Sequence, residues 1–582
     1  MKSSCTTHEA ALPNAGTPMP PIDEAPWHGR HLRTPRQDFA VLADPSLVQG
    51  IEVAKQNHAA LTGRDLNVQG RTLGRMREWT RDEVLSAARD YTAELLNATA
   101  AADGPIEPEP AASPLADLLF VAGHQPALFH PGVWAKNFAV YDMSTRAGGM
   151  SLNLSVDTDL MSSTTIRVPV KASPDPQIER IHFDADRPRG PWEENAVRDR
   201  ALFESFGERV CDKLSPWGVT PVLREQWPNA VRASQRFGLL SDSLIASRVR
   251  LERRWGASNL ELPISRMCEL DPFLWFASLL LAHLPRFVAV HNQVLAEYRQ
   301  VNHIRSRTHP VPELKSKGDC YEAPFWVWRR GESVRSRVFA RQVGREIALS
   351  DGKTEFARLP LAPDREACCA VEVLRELPQR GIRLRARALT TTLFSRLCLA
   401  DLFVHGIGGA KYDEMTDRIM SRFIGVSPPG FMTLTASLYL PLAENGLVTA
   451  EDEARYVRRL RELRWNADRH LNTSGDAETR DLMAQKAALI VSLNSAKQTS
   501  ARPSYSRSYT SENFQRFRQM QDLNCRLAEK AAPLSQSVSN ELAEIRRRLG
   551  THSLLHDREF AFSLYPEDKL RRLMGSLLTV GR

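Results

Sequence analysis

Three short segments concentrate groups that can do chemistry. Residues 123–138, GHQPALFHPGVWAKNF, bring Gly123, His124, Gln125, His130, Gly132, Lys136 and Asn137 into one stretch. Histidine titrates near neutral pH. A lysine beside the free N–H groups of a helix start can hold an anion, and the two glycines let a ligand approach the backbone. The dinucleotide pattern GxGxxG is absent, and His130-Pro131 would serve equally well as a plain helix cap. Residues 155–159, SVDTD, offer Asp157 and Asp159. A carboxylate there can anchor an ammonium, coordinate Mg²⁺ or act as a base, or it can simply cap a turn. Residues 405–413, HGIGGAKYD, place His405, Gly406, Gly408, Gly409, Lys411 and Tyr412 together. Glycines at a strand-to-helix junction suit an anion or a sugar, with Lys411 for charge and Tyr412 and Asp413 for hydroxyls; a tight turn is the plainer reading. His124, Asp157 and Asp159 are the candidate catalytic groups, and the others are candidate substrate- or phosphate-binding groups. A fourth set, Asn302, His303, Arg305, His309 and Glu322, flanks a strand carrying Trp326 and Trp328, which reads as core.

These segments need elements to hold them. Residues 115–122 read as a buried strand, 133–146 as a helix and 150–156 as a second strand, a βαβ unit that implies a parallel sheet. Near residue 400 the order repeats: helix 389–399, strand 401–405, the GIGGA loop, helix 411–423 and strand 431–440. The expected fold is α/β, with a Rossmann-like parallel-sheet core, an inserted connecting α+β domain and a C-terminal helical hairpin or coiled coil. The expected divisions are a disordered tail over 1–44, a helical segment and linker over 45–114, and the first half of the core over 115–224. An inserted helical and β-hairpin domain follows over 225–365, the second half of the core over 366–446 and the helical hairpin over 447–582. Thr80 and Glu83 fit a capping box opening a helix. Residues 272–290 are the most apolar stretch, but Pro285 and Arg286 interrupt it, so it reads as a buried helix and a turn rather than a membrane span.

Composition narrows the class. The 582 residues are 42% hydrophobic and 25% charged, an ordinary globular mixture. The eight cysteines are scattered without a CxxC pair, which argues against a disulfide framework or a zinc ribbon, and no metal site is expected. The net charge of +8 is spread along the chain, so nucleic acid is not an expected partner. The N-terminus lacks the apolar run of a secretory signal, and a cytoplasmic location without membrane association is expected.

The loop GHQPALFHPGVWAKNF resembles the GQQ(P)-x-LF-x-GP loop of the bacillithiol biosynthesis cysteine-adding enzymes (BshC). DLFVHGIGGAKYDEM is similar to that family's VGGPGE-x-x-Y segment, and YEAPFWVWRR fits as well. The likeness runs over roughly residues 115–580, in the same order. It implies a ligase of low-molecular-weight thiol biosynthesis that joins the carboxylate of cysteine to an amine on a sugar-type acceptor. Joining a carboxylate to an amine needs activation, so ATP or ADP with Mg is the expected activating group, with no tightly bound cofactor. The apolar stripe of the C-terminal helices has to be buried somewhere, and a homodimer is one option. Two departures stand out. The family's EDHDFE strand end is VDTDLM here, without the imidazole, and Gly409 stands where the family has Glu.

Three functions follow. The first is this carboxylate–amine ligase. The second is nucleotidyl or glycosyl transfer in the same crevice. The third is a non-enzymatic scaffold or nucleic-acid binder, using the basic helical hairpin with Arg502, Arg507, Arg516 and Arg518.

Overall fold

The computed structural model describes residues 27, 32–100, 117–172, 175–186, 190–442, 450–472, 476–499 and 511–579. Most of the expected disordered tail, the linker part at 101–114, and Arg502 and Arg507 of the basic hairpin lie outside the described residues. The chain divides into two compact units, one of residues 1–171, 178–441 and 558–582 and one of residues 172–177 and 442–557.

The first unit is mixed α/β. Its main sheet has six strands in the order Val41–Asp44, Met432–Ala436, Leu402–His405, Leu119–His124, Met150–Ser155 and Leu260–Pro263. Every neighbouring pair is parallel except the first, where Val41–Asp44 runs antiparallel along the edge. Both expected βαβ units are present: Leu119–His124, helix Pro131–Ala147 and Met150–Ser155, then Leu402–His405, helix Ile407–Ile419 and Met432–Ala436. The central strands read as short apolar runs because both faces are covered; Leu119, Phe120, Val121 and Ala122 are all buried.

The structure corrects several boundaries. Residues 41–44 belong to the sheet and are not part of a tail. The helix containing Thr80 begins at Leu73, capped by Thr72, so Thr80 is a buried mid-helix residue with no capping role. Leu260–Pro263 is a strand within a stretch that reads as helical. The glycine segment is no loop, because the helix starts at Ile407 and takes Gly408 and Gly409 into its first turn.

The insertion carries an antiparallel sheet ordered Glu355–Leu359, Glu346–Ser350, Ser336–Val343, Cys320–Arg329 and Ile382–Ala386. Its last strand lies past residue 366, so the insertion runs further than expected. The apolar stretch at 272–290 forms two helices, Asp271–Ala282 and Leu284–Val301, bent by 84°. Residues 272–282 are all buried. Among the described residues no single helix is long and apolar enough to cross a membrane.

The second unit holds the helices Ala450–Trp465, Ala477–Thr499, Ser511–Lys530 and Ala532–Leu555. They pack around Leu463, Leu482, Leu523, Leu527 and Val538. Pro533 opens the last of these at a position where proline fits. The hairpin does not extend to residue 582. The chain rejoins the first unit at Arg558, and helix Glu567–Thr579 packs on helix Pro131–Ala147.

Candidate active site

The order of the parallel strands creates the site. From Leu119–His124 the chain moves outward to Met150–Ser155 and Leu260–Pro263. It then returns to the other side of the first strand at Leu402–His405 and continues to Met432–Ala436. The halves part between Leu119–His124 and Leu402–His405, and in open α/β sheets ligands bind beyond the strand ends at such a switch point. At the opposite, N-terminal edge the same two strands are locked. The Asp401 carboxylate accepts the Leu119 N–H at 2.7 Å and pairs with Arg77 at 2.7 Å and Arg81 at 2.5 Å.

The first junction begins at His124, the last residue of its strand and a buried one. Its Nε2 lies 3.1 Å from Asn137 Oδ1 and its Nδ1 3.1 Å from the Gln125 carbonyl. Asn137 is held in that orientation because its Nδ2 donates to Glu252 at 2.7 Å. Glu252 also accepts from Trp134 and Arg248, and Arg248 bridges to Glu261, which accepts from Asn153 at 2.8 Å. A neutral imidazole has one N–H, so only one of the two contacts at His124 carries a proton. Burial, then Arg248 and Lys136, hold its pKa well below the usual range and oppose the second proton.

Lys136 lies along the same helix and is 4% exposed. Its ammonium donates to the Gly123 carbonyl at 2.7 Å, and burial lowers its pKa to about 8. Its charge depresses both His124 and His405, and Val404 pairs in register with Ala122. The amine therefore sits where the two halves of the sheet meet.

Three other residues of the first junction do not serve a ligand. His130 caps the helix by accepting the Gly132 N–H at 3.1 Å, Pro131 has no N–H, and Val133 donates to the His130 carbonyl at 3.0 Å. Gly132 is packed so closely that a Cβ would lie 2.2 Å from the Ala436 carbonyl and 2.8 Å from Arg558. The expected phosphate cradle at His130 and Gly132 is thus corrected: the chain itself takes those donors.

Asp157 is turned away from the switch point. Its Oδ1 accepts the Ser265 N–H at 2.9 Å, and its other oxygen bonds the Ser265 hydroxyl. Burial and the neighbouring Glu193 raise its pKa to about 8. Both carboxyl oxygens are engaged by Ser265, so in this arrangement Asp157 clamps the ends of two strands together. Asp159 lies on the rim, bonded by Gln125 Nε2 at 2.7 Å and Arg335 at 3.2 Å.

The second junction is built differently. Gly406 is the cap residue of helix Ile407–Ile419, and no side chain caps that helix. A Cβ on Gly406 or Gly408 would meet nothing within 4 Å, whereas on Gly409 it would lie 2.9 Å from His405 Nδ1. His405 Nε2 donates to Asp413 at 2.8 Å, and Arg396 holds Asp413 at 2.6 Å. Against the upward push of burial, Arg396 and His405 keep the Asp413 carboxyl far below the usual range. Burial lowers His405 despite Asp413, aided by Arg396 and Lys136. The carboxylate fixes the tautomer with the proton on Nε2, so Nδ1 carries the lone pair beside the glycine turn. Lys411 is exposed on the helix, and Tyr412 packs its ring 6.1 Å from that of His309; neither joins the buried cluster.

The structure therefore gathers Gly123, His124, Lys136, Asn137, His405, Gly406 and Gly409 at one place. It sets Gln125 and Asp159 on the rim and leaves Lys411 outside. Arg396, Glu252 and Arg248, which hold these groups, carry no local signal in the sequence beyond the i,i+4 spacing of Arg248 and Glu252. Among the described residues no group of three or more His, Cys, Asp or Glu side chains is arranged to hold a metal ion. No protein-family model matches the chain, and no curated protein matches it.

Proposed function

We propose that this chain is a cytoplasmic carbon–nitrogen ligase that joins an amino-acid carboxylate, with cysteine as the first candidate, to an amine on a sugar-type acceptor. In this reading the parallel sheet is a Rossmann-like core related to that of the bacillithiol cysteine-adding enzymes. The observation that carries the reading is the meeting of Lys136 and His124 with His405 across a switch point, from segments some 280 residues apart in the chain.

Amide formation needs an activated carboxylate and a place for the amine's proton. A nucleotide such as ATP with Mg supplies the activation when bound. The uncapped helix start at Gly406 and Gly408 and the Lys136 ammonium would hold its phosphates, because the donors of the first helix start are already taken by His130. Lys136 balances oxyanion charge. His405, oriented by Asp413 and Arg396, offers Nδ1 to a departing proton, as a carboxylate-oriented imidazole does in general base catalysis. His124 holds the opposite wall through Asn137. Preorganised donors of this kind are worth about 3–4 kcal/mol in a transition state.

Pairing of two copies through the helical unit is part of the same proposal. Val491, Phe514 and Phe517 are exposed there, and light scattering of the purified protein reads the mass.

The test is mass spectrometry of a reaction containing cysteine, an aminosugar conjugate and ATP. A product equal to the two substrates less one water, reduced at least a hundredfold by His405→Gln, is the expected outcome. Nucleotide or sugar-nucleotide turnover with no amino acid consumed assigns the transferase reading instead.

A further inference from the structure

We propose that the Lys136 ammonium and the first turn of helix Ile407–Ile419 together bind an oxyanion group of a small molecule, phosphoryl or carboxylate. This rests on the crevice being the working site and specifies which part of it takes the charge.

The argument starts from Lys136. A lysine 4% exposed at the end of a sheet needs a counter-charge, because a buried cation is costly unless it is paired. The hydrogen bond it makes is to a carbonyl, that of Gly123. Among the described residues no carboxylate lies within ion-pair distance of it. Burial drives His124 and His405 toward their neutral forms, and the Lys136 charge adds to that push at both. Arg248, the other cation acting on His124, is already paired with Glu252 and Glu261, and Arg396 is paired with Asp413 and Asp417. Among the described residues every other buried cation around the switch point has its acid, and Lys136 has none.

The helix start at the same switch point is able to receive a negative group. His405 follows Val404, which pairs in register with Ala122, so it flanks the Gly123 carbonyl that Lys136 holds. The His405 ring lies against Gly409. The 13-residue helix that begins there has no side chain on its N-terminal donors and open space at Gly406 and Gly408. The first-turn N–H groups and the positive end of the helix dipole favour a negative group. At the other junction the equivalent donors are already taken, so the two helix starts are not interchangeable.

The experiment is titration calorimetry on the full chain with three probes: inorganic phosphate, pyrophosphate and L-malate. Two variants should keep the fold. Lys136→Met preserves side-chain length and removes the buried charge. Gly408→Asp places an acid in open space at a helix start, where it suits the dipole. At least one probe should bind the native protein with a millimolar constant or tighter, and each variant should weaken it tenfold or more while melting within a few degrees of the parent. Tighter pyrophosphate than malate assigns a phosphoryl group, and the reverse assigns a carboxylate. No binding of any probe by the native chain overturns the proposal, as does unchanged binding in both folded variants. Anion binding without amide product would sink the ligase reading and leave this site intact. Amide product without anion binding would remove this site alone.

Discussion

Two strand-to-helix junctions of the same sheet, with the same topology, have opposite uses of their helix starts. At Pro131 the donors are consumed by the chain: the His130 cap, a proline without N–H, and Gly132 pressed against the Ala436 carbonyl. At Ile407 no side chain caps the helix, and two glycines face open space. Glycine therefore means different things at the two places. In the first it permits backbone to touch backbone; in the second it leaves room. A motif places a helix start at a ligand crevice, but only the fate of each N–H tells whether a ligand can use it.

The largest expected effect separates the two glycines. Gly132→Ala forces a Cβ against the Ala436 backbone and should cost about 3 kcal/mol or more, read by urea denaturation. An unchanged midpoint would mean that the first junction is as open as the second. The next effect concerns the amine between the junctions. Its pKa in the folded chain, about 8, lies below the ordinary 10.5. Between those values the unfolded chain binds a proton that the native chain has released. Stability therefore rises with pH at up to about 1.4 kcal/mol per unit across that window, and this gain is lost as pH falls through 8. Lys136→Met should flatten the rise relative to the parent, a difference on the order of 3 kcal/mol; parallel curves would place the amine in water. A smaller effect is expected of His130→Ala, which removes a helix cap worth about 1 kcal/mol and should leave anion binding intact. Smallest of all, Gly408→Ala should shift stability by less than about 1 kcal/mol, in the stabilising direction, because alanine suits a helix better than glycine. A large loss there would show that the open space is filled.

Much of the core can be read from the sequence because it rests on local pattern. The apolar run at 115–122 and the alternation of strand and helix signals at both junctions are short-range features, and both βαβ units follow from them. Gly406 to Gly409 mislead because three glycines in five residues look like a loop, while the helix that absorbs them draws its stability from packing of Ala410, Met415 and Ile419. Leu260–Pro263 is hidden because a four-residue strand between helices has too little length to show a period. Within the site, Lys136 and His405 stand out by residue type, but their relation depends on which strands become neighbours. The partners that give His405 and Asn137 their roles, Arg396 and Glu252, come from distant elements that no spacing rule connects. Asp157 is the opposite case. Its position at a strand end suggests chemistry, and Ser265, 108 residues away, turns it into a clamp.

The closed junction also sets an order of events during synthesis. Arg558, beside the His130 ring, lies 428 residues downstream, and Phe562, stacked 4.3 Å from Trp134, comes later still. A nascent chain halted before them carries an uncovered aromatic face on its first crossover helix. Ribosome-bound intermediates of this protein should therefore recruit chaperones until the residues around 560 emerge and dock.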